Sequence, residues 1–140
     1  MSSRLRDRLE RMLKLIEELK ADASRGVPII VEGFRDVEAL RELDVRGRII
    51  PAKASGRTLI DLVEEVEGLG KPEVILLLDF DRRGREWTGL LTRQFERAGI
   101  KANTNFWRLL SNLSGKEVKD IEGLLSYVKT LHRKAGRGME

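Results

Sequence analysis

The chain contains few residues of the kinds that build covalent cross-links or soft-metal centres. It has no cysteine and a single histidine, His132, among 140 residues. Disulfides and thiolate metal centres are therefore excluded, and one imidazole cannot form a multi-histidine site. A serine–histidine–aspartate triad is not evident either. Any metal that this chain binds is accordingly expected to be held by oxygen atoms.

Long apolar runs are also absent. No segment approaches the roughly 18 apolar residues that a membrane-spanning helix needs. The N-terminal segment MSSRLRDRLERMLKLIEELK is charged throughout and lacks the apolar core of a signal peptide. Together with the lack of cysteine, these absences indicate a cytoplasmic protein with no membrane partner. Hydrophobic residues still make up 41% of the chain, which is enough for the core of one globular domain.

Charged residues are abundant, at 36% of the chain, whereas glutamine occurs once and asparagine three times. This composition is typical of thermophile proteins. The formal net charge is +4, with a pI of about 9.6. Such a charge is compatible with a nucleic-acid partner but does not by itself identify one.

Apolar periodicity predicts strands that alternate with helices. Helices are predicted over 3–22, 35–44, 57–68 and 84–97, with a last one starting near Glu117 or Asp120. Strands are predicted over 27–33, within 46–56, over 73–79 and, more weakly, over 99–106. In the helix 84–97, the residues predicted to face inward are Trp87, Leu90, Leu91 and Phe95. The segment SGKE at 114–117 resembles a capping box.

This alternation predicts an α/β, Rossmann-like fold, in which a mostly parallel four-stranded sheet is flanked by helices. The uninterrupted apolar runs PIIV and VILLL are typical of strands buried on both faces. We divide the chain into an amphipathic helix at 1–24, packed on or extending the domain, the domain itself at 25–133, and a basic C-terminal tail at 134–140.

Carboxylates follow two of the predicted strands. Glu32 ends the first strand, and Asp79 and Asp81 follow the third in the segment ILLLDFDRRGRE. In a parallel sheet the working crevice lies beyond the carboxyl ends of the strands, so neighbouring strands would place these acids side by side. Clustered carboxylates repel one another unless they share a cation, and Mg²⁺, with Mn²⁺ as a substitute, is the hard cation that such oxygens hold.

Positive charge surrounds the two aspartates, because Arg82, Arg83 and Arg85 follow directly. Arginines can bind phosphate groups bidentately, so the acids and arginines together predict a site for phosphodiesters. The opposing interpretation is simpler: an aspartate at a strand-to-helix junction caps the helix, and each arginine is solvated. The joint occurrence of three acids at two strand ends favours the functional interpretation.

At this point the sequence resembles the Toprim domain of topoisomerases, bacterial-type primases, OLD-family nucleases and the ribonucleases that mature 5S ribosomal RNA. The resemblance rests on Glu32-Gly33-Phe34-Arg35-Asp36, which matches an E-G-x-x-D motif, and on Asp79 to Gly84, which matches D-x-D-x-x-G. It covers about residues 27–125. It implies that Glu32 is a general acid or base or helps hold a second ion, and that Asp79 and Asp81 coordinate Mg²⁺.

The resemblance also implies lesser roles. Gly33 and Gly84 would allow tight turns and close approach of a phosphate to the backbone. Ser55 and Gly56 lie where Toprim chains carry a loop near the substrate, although a plain turn fits equally. Asp36 is expected to cap the helix at 35–44 rather than bind metal directly, and Asp120 is a candidate for a peripheral role.

Four aromatic residues can be interpreted in two ways, and the sequence leaves both open. They could stack on bases or pack in the core, and they are Phe34, Phe80, Phe106 and Trp107.

The implied function is Mg²⁺-dependent hydrolysis of RNA or DNA phosphodiesters, with a nucleic acid as partner. The only tyrosine, Tyr127, lies in an amphipathic segment, so a topoisomerase nucleophile is not expected, and 140 residues leave no room for the extra domains of a primase. Two alternatives remain open. One is a non-catalytic Toprim module that binds nucleic acid or scaffolds a protein partner or second copy. The other is a small phosphatase of the haloacid dehalogenase type.

Overall fold

The structure is a computed structural model that describes residues 3–54 and 56–138. The helices in these ranges are α1 (Ser3–Ser24), α2 (Phe34–Glu42), α3 (Leu59–Gly68), α4 (Arg82–Arg97), α5 (Asn105–Ser114) and α6 (Ile121–Gly138). The strands are β1 (Ile29–Val31), β2 (Ile49–Pro51), β3 (Glu73–Leu76) and β4 (Lys101–Asn103). A short 3₁₀ turn, Gly115–Glu117, joins α5 to α6.

The four strands form one parallel sheet in the order β2-β1-β3-β4. The predicted α/β fold is confirmed. The strands are shorter than predicted, yet hydrogen bonding continues past their ends: Leu77 N–H donates to Ile30 O at 2.8 Å, and Lys53 N–H donates to Glu32 O at 2.9 Å. The backbone that carries the predicted site is therefore still fixed by sheet-like pairing.

Two apolar layers cover the sheet, as expected for strands buried on both faces. One layer joins the sheet to α1, α2, α5 and α6, with Met12, Ile29 and Leu110 fully buried in it. The other joins it to α3 and α4 around Leu76 and Phe95. None of the helices in the described ranges combines the length and the apolarity that crossing a bilayer requires.

The N-terminal helix α1 packs on the domain against α5 and α6. Arg8 Nη1 donates a hydrogen bond to the hydroxyl of Tyr127 at 2.8 Å, so this tyrosine ties α6 to α1. Helix α6 continues through Gly138, past residue 134 where we expected a basic tail to begin; Met139 and Glu140 lie outside the described residues.

Two local predictions were wrong. Leu90 does not face inward, because it is 37% exposed; the buried face of α4 runs through Gly84, Thr88, Leu91 and Phe95. The capping box at 114–117 is not formed, since the hydroxyl of Ser114 donates to Leu110 O within α5. The cap of α6 is Asp120 instead, whose Oδ1 accepts the N–H of Gly123 at 2.6 Å.

Candidate functional site

The candidate site lies at the carboxyl ends of β1 and β3, which are neighbours in the sheet. Ile29 pairs with Ile75 and Ile30 with Leu76. Each strand then runs a few residues further, to Glu32 in one case and Asp79 in the other. The two acids consequently emerge side by side. This is the arrangement predicted from the sequence, because the working crevice of a parallel sheet lies beyond the carboxyl ends of its strands.

Glu32 is buried, with only 3% of its surface exposed. Its Oε1 has no hydrogen-bond partner, and its Oε2 lies 3.8 Å from Nζ of Lys53. Burying an ionised carboxylate is costly unless its oxygens are hydrogen-bonded or bound to a cation. The free oxygen is therefore a position that a hard cation would satisfy.

Asp79 has a strongly perturbed carboxyl group. Its pKa is raised to about 8, first by burial, then by a side-chain hydrogen bond with Glu32, and then by the charges of Glu32, Asp36 and Asp120. Burial and like charges both disfavour the ionised form. Without a cation, the fold thus holds Asp79 in a position where a carboxylate is unfavourable.

Asp36 joins the start of α2 to the start of α6. Its Oδ2 accepts the N–H of Gly33 at 3.1 Å, which is the capping role predicted for it. Its Oδ1 accepts the N–H of Glu122 at 3.2 Å, from a residue 86 positions away in the sequence. Burial raises the pKa of Asp36, and these two backbone donors oppose the rise. Through this bridge the N-terminus of α6, with Asp120, reaches the site.

These residues line a cavity of about 270 Å³, which we call the acidic cavity. Its charged lining consists of five carboxylates and two cations: Glu32, Asp36, Asp79, Asp120, Glu122, Arg35 and Lys53. Gly33 and Phe34 complete it. In the described part of the chain, no three carboxylate or imidazole side chains converge as a ready-made ligand set for one ion.

Asp81 lies outside the acidic cavity. It is exposed and caps α4, because its Oδ1 accepts the N–H of Gly84 at 2.7 Å. It lines a neighbouring cavity of about 440 Å³, which we call the basic groove because Arg85, Lys116 and Lys119 line it too. The structure therefore brings Glu32 together with Asp79, Asp36 and Asp120 in the acidic cavity. Asp81 lines the basic groove instead.

The Asp79–Asp81 segment is held by its surroundings on several sides. A Cβ added to Gly84 would lie 2.0 Å from Asp79 O, so only glycine lets α4 start this close to the end of β3. Trp107 Nε1 donates to the same Asp79 O at 3.2 Å, and Phe80 N–H donates to Lys119 O at 2.6 Å. Glycine is therefore required at position 84, because the backbone of Asp79 leaves no room for a side chain. At Gly33, in contrast, an added Cβ would meet no atom within 4 Å.

The three predicted arginines have different surroundings. Arg82 pairs with Glu86 at 3.3 Å on the exposed face of α4, and the guanidinium of Arg83 lies 5.8 Å from the ring centre of Trp87. Arg85 alone of the three lines the basic groove. Gly56 occupies a left-handed turn with φ of 72°, and Ser55 lies outside the described residues.

Sequence reasoning missed four basic residues near the site: Arg35, which was noted only as part of the E-G-x-x-D motif, and three lysines. Lys53 follows the end of β2 by two positions. It could have been predicted in the same way as Glu32, because both residues follow the carboxyl end of a parallel strand. Lys116 and Lys119 lie in the connection between α5 and α6, and nothing in the sequence places that connection beside Asp81. Of the four aromatics, Phe106 is buried and Phe80 and Trp107 pack on the core, while Phe34 is 65% exposed.

Comparison with known proteins agrees with this architecture. The family model of the Toprim domain matches residues 27–122. A UPF0292 protein of Methanosarcina barkeri is 39% identical over 131 residues, covering 94% of this chain and 90% of its own. A UPF0292 protein of Methanocaldococcus jannaschii is 43% identical over 120 residues, covering 85% of this chain and 91% of its own. A solved structure, a putative protein from Aquifex aeolicus, superposes with a TM-score of 0.66 at 29% identity, covering 78% of this chain and 94% of that one. The chain therefore belongs to the Toprim domain family, a family of nucleic-acid-processing proteins, and its relatives in archaea are UPF0292 proteins.

Proposed function

We propose that this protein hydrolyses phosphodiester bonds of a nucleic acid, RNA or DNA, in a reaction that depends on Mg²⁺ or Mn²⁺. The observation that carries the proposal is the buried Glu32 carboxylate with an unpartnered oxygen, next to Asp79, at the strand ends where Toprim proteins carry their acids. Fold alone does not establish activity, whereas the chemistry of these side chains supports it.

The residues present fit a magnesium ion. All of the candidate donors are hard oxygens, and Mg²⁺ is commonly held by one or two protein carboxylates while waters and substrate phosphates complete its shell. Glu32 and Asp79 supply two such carboxylates in one cavity. Asp81, the third residue of the family pattern, would contribute the carboxylate oxygen that does not cap α4. When bound, the ion would supply Lewis acidity toward the scissile phosphate.

The protein groups have separable tasks in this scheme. Glu32, which lines the acidic cavity beside Asp79, would exchange a proton with the attacking or the leaving oxygen. Lys53, whose Nζ is 3.8 Å from Glu32, would neutralise a phosphate oxygen that enters the acidic cavity. The backbone at both Asp79 and Phe80 is fixed by hydrogen bonds, so the acids are positioned before the substrate binds.

The basic groove supports a path for the nucleic-acid backbone. Three cations and one carboxylate line it, whereas the adjoining acidic cavity has the opposite balance. A polyanion would thus be held by Arg85, Lys116 and Lys119 while one phosphate reaches the acids. The phosphatase alternative is not retained, because the Toprim match includes the strand that carries Glu32.

The test is cleavage of labelled RNA and DNA, single-stranded and duplex, in Mg²⁺, in Mn²⁺ and in EDTA. We expect metal-dependent cleavage that is lost in Asp79→Asn. The matched control is Asp61→Asn, since Asp61 is an exposed capping aspartate on α3. Metal-dependent binding without cleavage would instead favour the non-catalytic module. Equal cleavage by Asp79→Asn would refute the proposed site.

A further inference from the structure

We propose that the acidic cavity takes an unpaired nucleotide whose base stacks on Phe34, so that the substrate is single-stranded where it meets the acids. This inference rests on the proposed function and names its substrate class. It concerns a side chain that no part of the hydrolytic scheme above uses.

Phe34 is exposed where folding gives no reason for an aromatic ring. It is the first residue of α2, it is 65% exposed, and it lines the same cavity as Glu32 and Asp79. Among the exposed large hydrophobic residues in the described ranges, it is the aromatic one. An exposed aromatic ring beside a phosphate site is the arrangement that proteins use to stack bases of single strands.

The backbone at Phe34 is already ordered before a ligand binds. Asp36 fixes the first turn of α2 by accepting the N–H of Gly33, and it ties that turn to α6 by accepting the N–H of Glu122. A pre-organised platform loses less conformational freedom on binding. The backbone that carries Phe34 is therefore fixed before a base binds.

Two cations beside the ring could hold the phosphate of a nucleotide. Arg35 and Lys53 line the cavity beside the ring, and both can contact a phosphate. The cavity volume of about 270 Å³ lies just below the roughly 300–1,000 Å³ of ligand sites, so it has room for one nucleotide at most. In a duplex both faces of a base are covered by its neighbours, so a base that stacks on Phe34 has to be unpaired or flipped out. With five carboxylates in the lining, binding should also require a divalent cation.

The test measures binding rather than cleavage, in Ca²⁺ and in EDTA, with the full chain. The probes are a 12-nucleotide single strand carrying one 2-aminopurine and the same strand in a duplex. In Ca²⁺ we expect tighter binding of the single strand, and quenching of the 2-aminopurine. Phe34→Ala should weaken single-strand binding about tenfold and abolish the quenching, while leaving duplex binding unchanged. Phe34→Trp should restore both.

The matched control is Ile60→Ala, because Ile60 is 68% exposed on α3 and lines neither the acidic cavity nor the basic groove. This change should have no effect on binding or quenching. The inference is overturned if Phe34→Ala binds both probes like the wild type, or if the loss is equal for single strand and duplex. If Phe34→Ala changes only the self-association of the protein, Phe34 belongs to a protein–protein contact, and the inference is overturned as well.

The two proposals can fail separately. If the wild type cleaves nothing but the binding pattern holds, the hydrolytic function fails and the stacking site stands. If cleavage depends on Asp79 while Phe34→Ala binds and cuts normally, the stacking inference fails and the function stands.

Discussion

Replacing Asp79 by asparagine should stabilise the metal-free protein at neutral pH. The perturbation keeps the size of the side chain and its ability to hydrogen-bond with Glu32, but it removes a titratable group whose pKa is raised to about 8. In the unfolded chain the same carboxyl titrates near 3.8. The folded state therefore binds more protons than the unfolded state between these two pH values.

The sign follows from proton linkage. Stability falls as pH rises wherever the folded state binds more protons, so the wild type should lose stability progressively from about pH 4 to pH 8. One pKa unit corresponds to about 1.4 kcal/mol, so the full shift from 3.8 to about 8 would be roughly 6 kcal/mol. Asp79 is partly exposed, and screening by water reduces this to on the order of 2 kcal/mol at pH 7.

The assay is guanidinium unfolding in EDTA at pH 5, 7 and 8.5. We expect Asp79→Asn to be more stable than the wild type at pH 7 and 8.5, with little difference at pH 5. Asp61→Asn is the control with the opposite sign, because hydrogen bonds from Thr58 lower the pKa of Asp61 and its ionised form contributes stability. Lower stability of Asp79→Asn at every pH would refute the reasoning and make Asp79 a structural residue. Added Mg²⁺ should stabilise the wild type and leave the variant unchanged.

Three further predictions concern the segment after β3 and the basic groove. Gly84→Ala should destabilise the protein by several kcal/mol, on the order of 3, because the new Cβ would overlap Asp79 O. Gly89→Ala in the same helix should instead be neutral or stabilising by about 1 kcal/mol, since the nearest atom is 3.7 Å away, and thermal unfolding of the pair checks both. Asp81→Asn should preserve stability, because asparagine caps a helix as well as aspartate does. Calorimetric Mn²⁺ titration of this variant then isolates the metal role: weaker binding supports ligation, and unchanged affinity restricts Asp81 to capping. Replacing Arg85, Lys116 and Lys119 by alanine should lower the slope of log K against log salt by about 0.7 to 0.9 per contact. The same change at Lys71 and Lys101, which are exposed at the amino ends of β3 and β4, should leave the slope as it was. An unchanged slope in the groove variants would place the nucleic-acid backbone elsewhere.

The secondary structure was predictable because most elements obey simple periodicities. The helices α1 and α3 follow the 3.6-residue spacing of their apolar residues, and the central strands are uninterrupted apolar runs. The prediction was wrong at Leu90 because the inner face of α4 begins with Gly84 and Thr88, which an apolar pattern does not count. Thr88 can be buried because its hydroxyl donates to Gly84 O at 2.6 Å.

The site was predictable only in part, for a reason that lies in its long-range contacts. Glu32 and Asp79 follow adjacent strands, and the sequence already indicates both strand ends. Asp120 and the lysines near it come from a connection that joins two helices, and its position depends on hydrogen bonds to Asp36 and Phe80. Those contacts span tens of residues and leave no local pattern. The separation of Asp81 from Asp79 was predictable only in part. The capping interpretation fits Asp81, which caps α4, but how tightly α4 approaches β3 has no local sequence pattern.

The acidic cavity is assembled by backbone hydrogen bonds and close backbone packing, from segments that are far apart in sequence. The ends of β1 and β3 are set by sheet pairing, Asp36 accepts the N–H of Glu122, and Gly84 admits the backbone of Asp79. None of these contacts neutralises the carboxylates they bring together, and Lys53 only approaches one of them. A fold that keeps Glu32 buried with a free oxygen and raises the pKa of Asp79 gives up stability in the metal-free state. Mutual repulsion on this scale is relieved by a divalent cation, which is why we infer that the cavity is built for an ion and the phosphate bound to it.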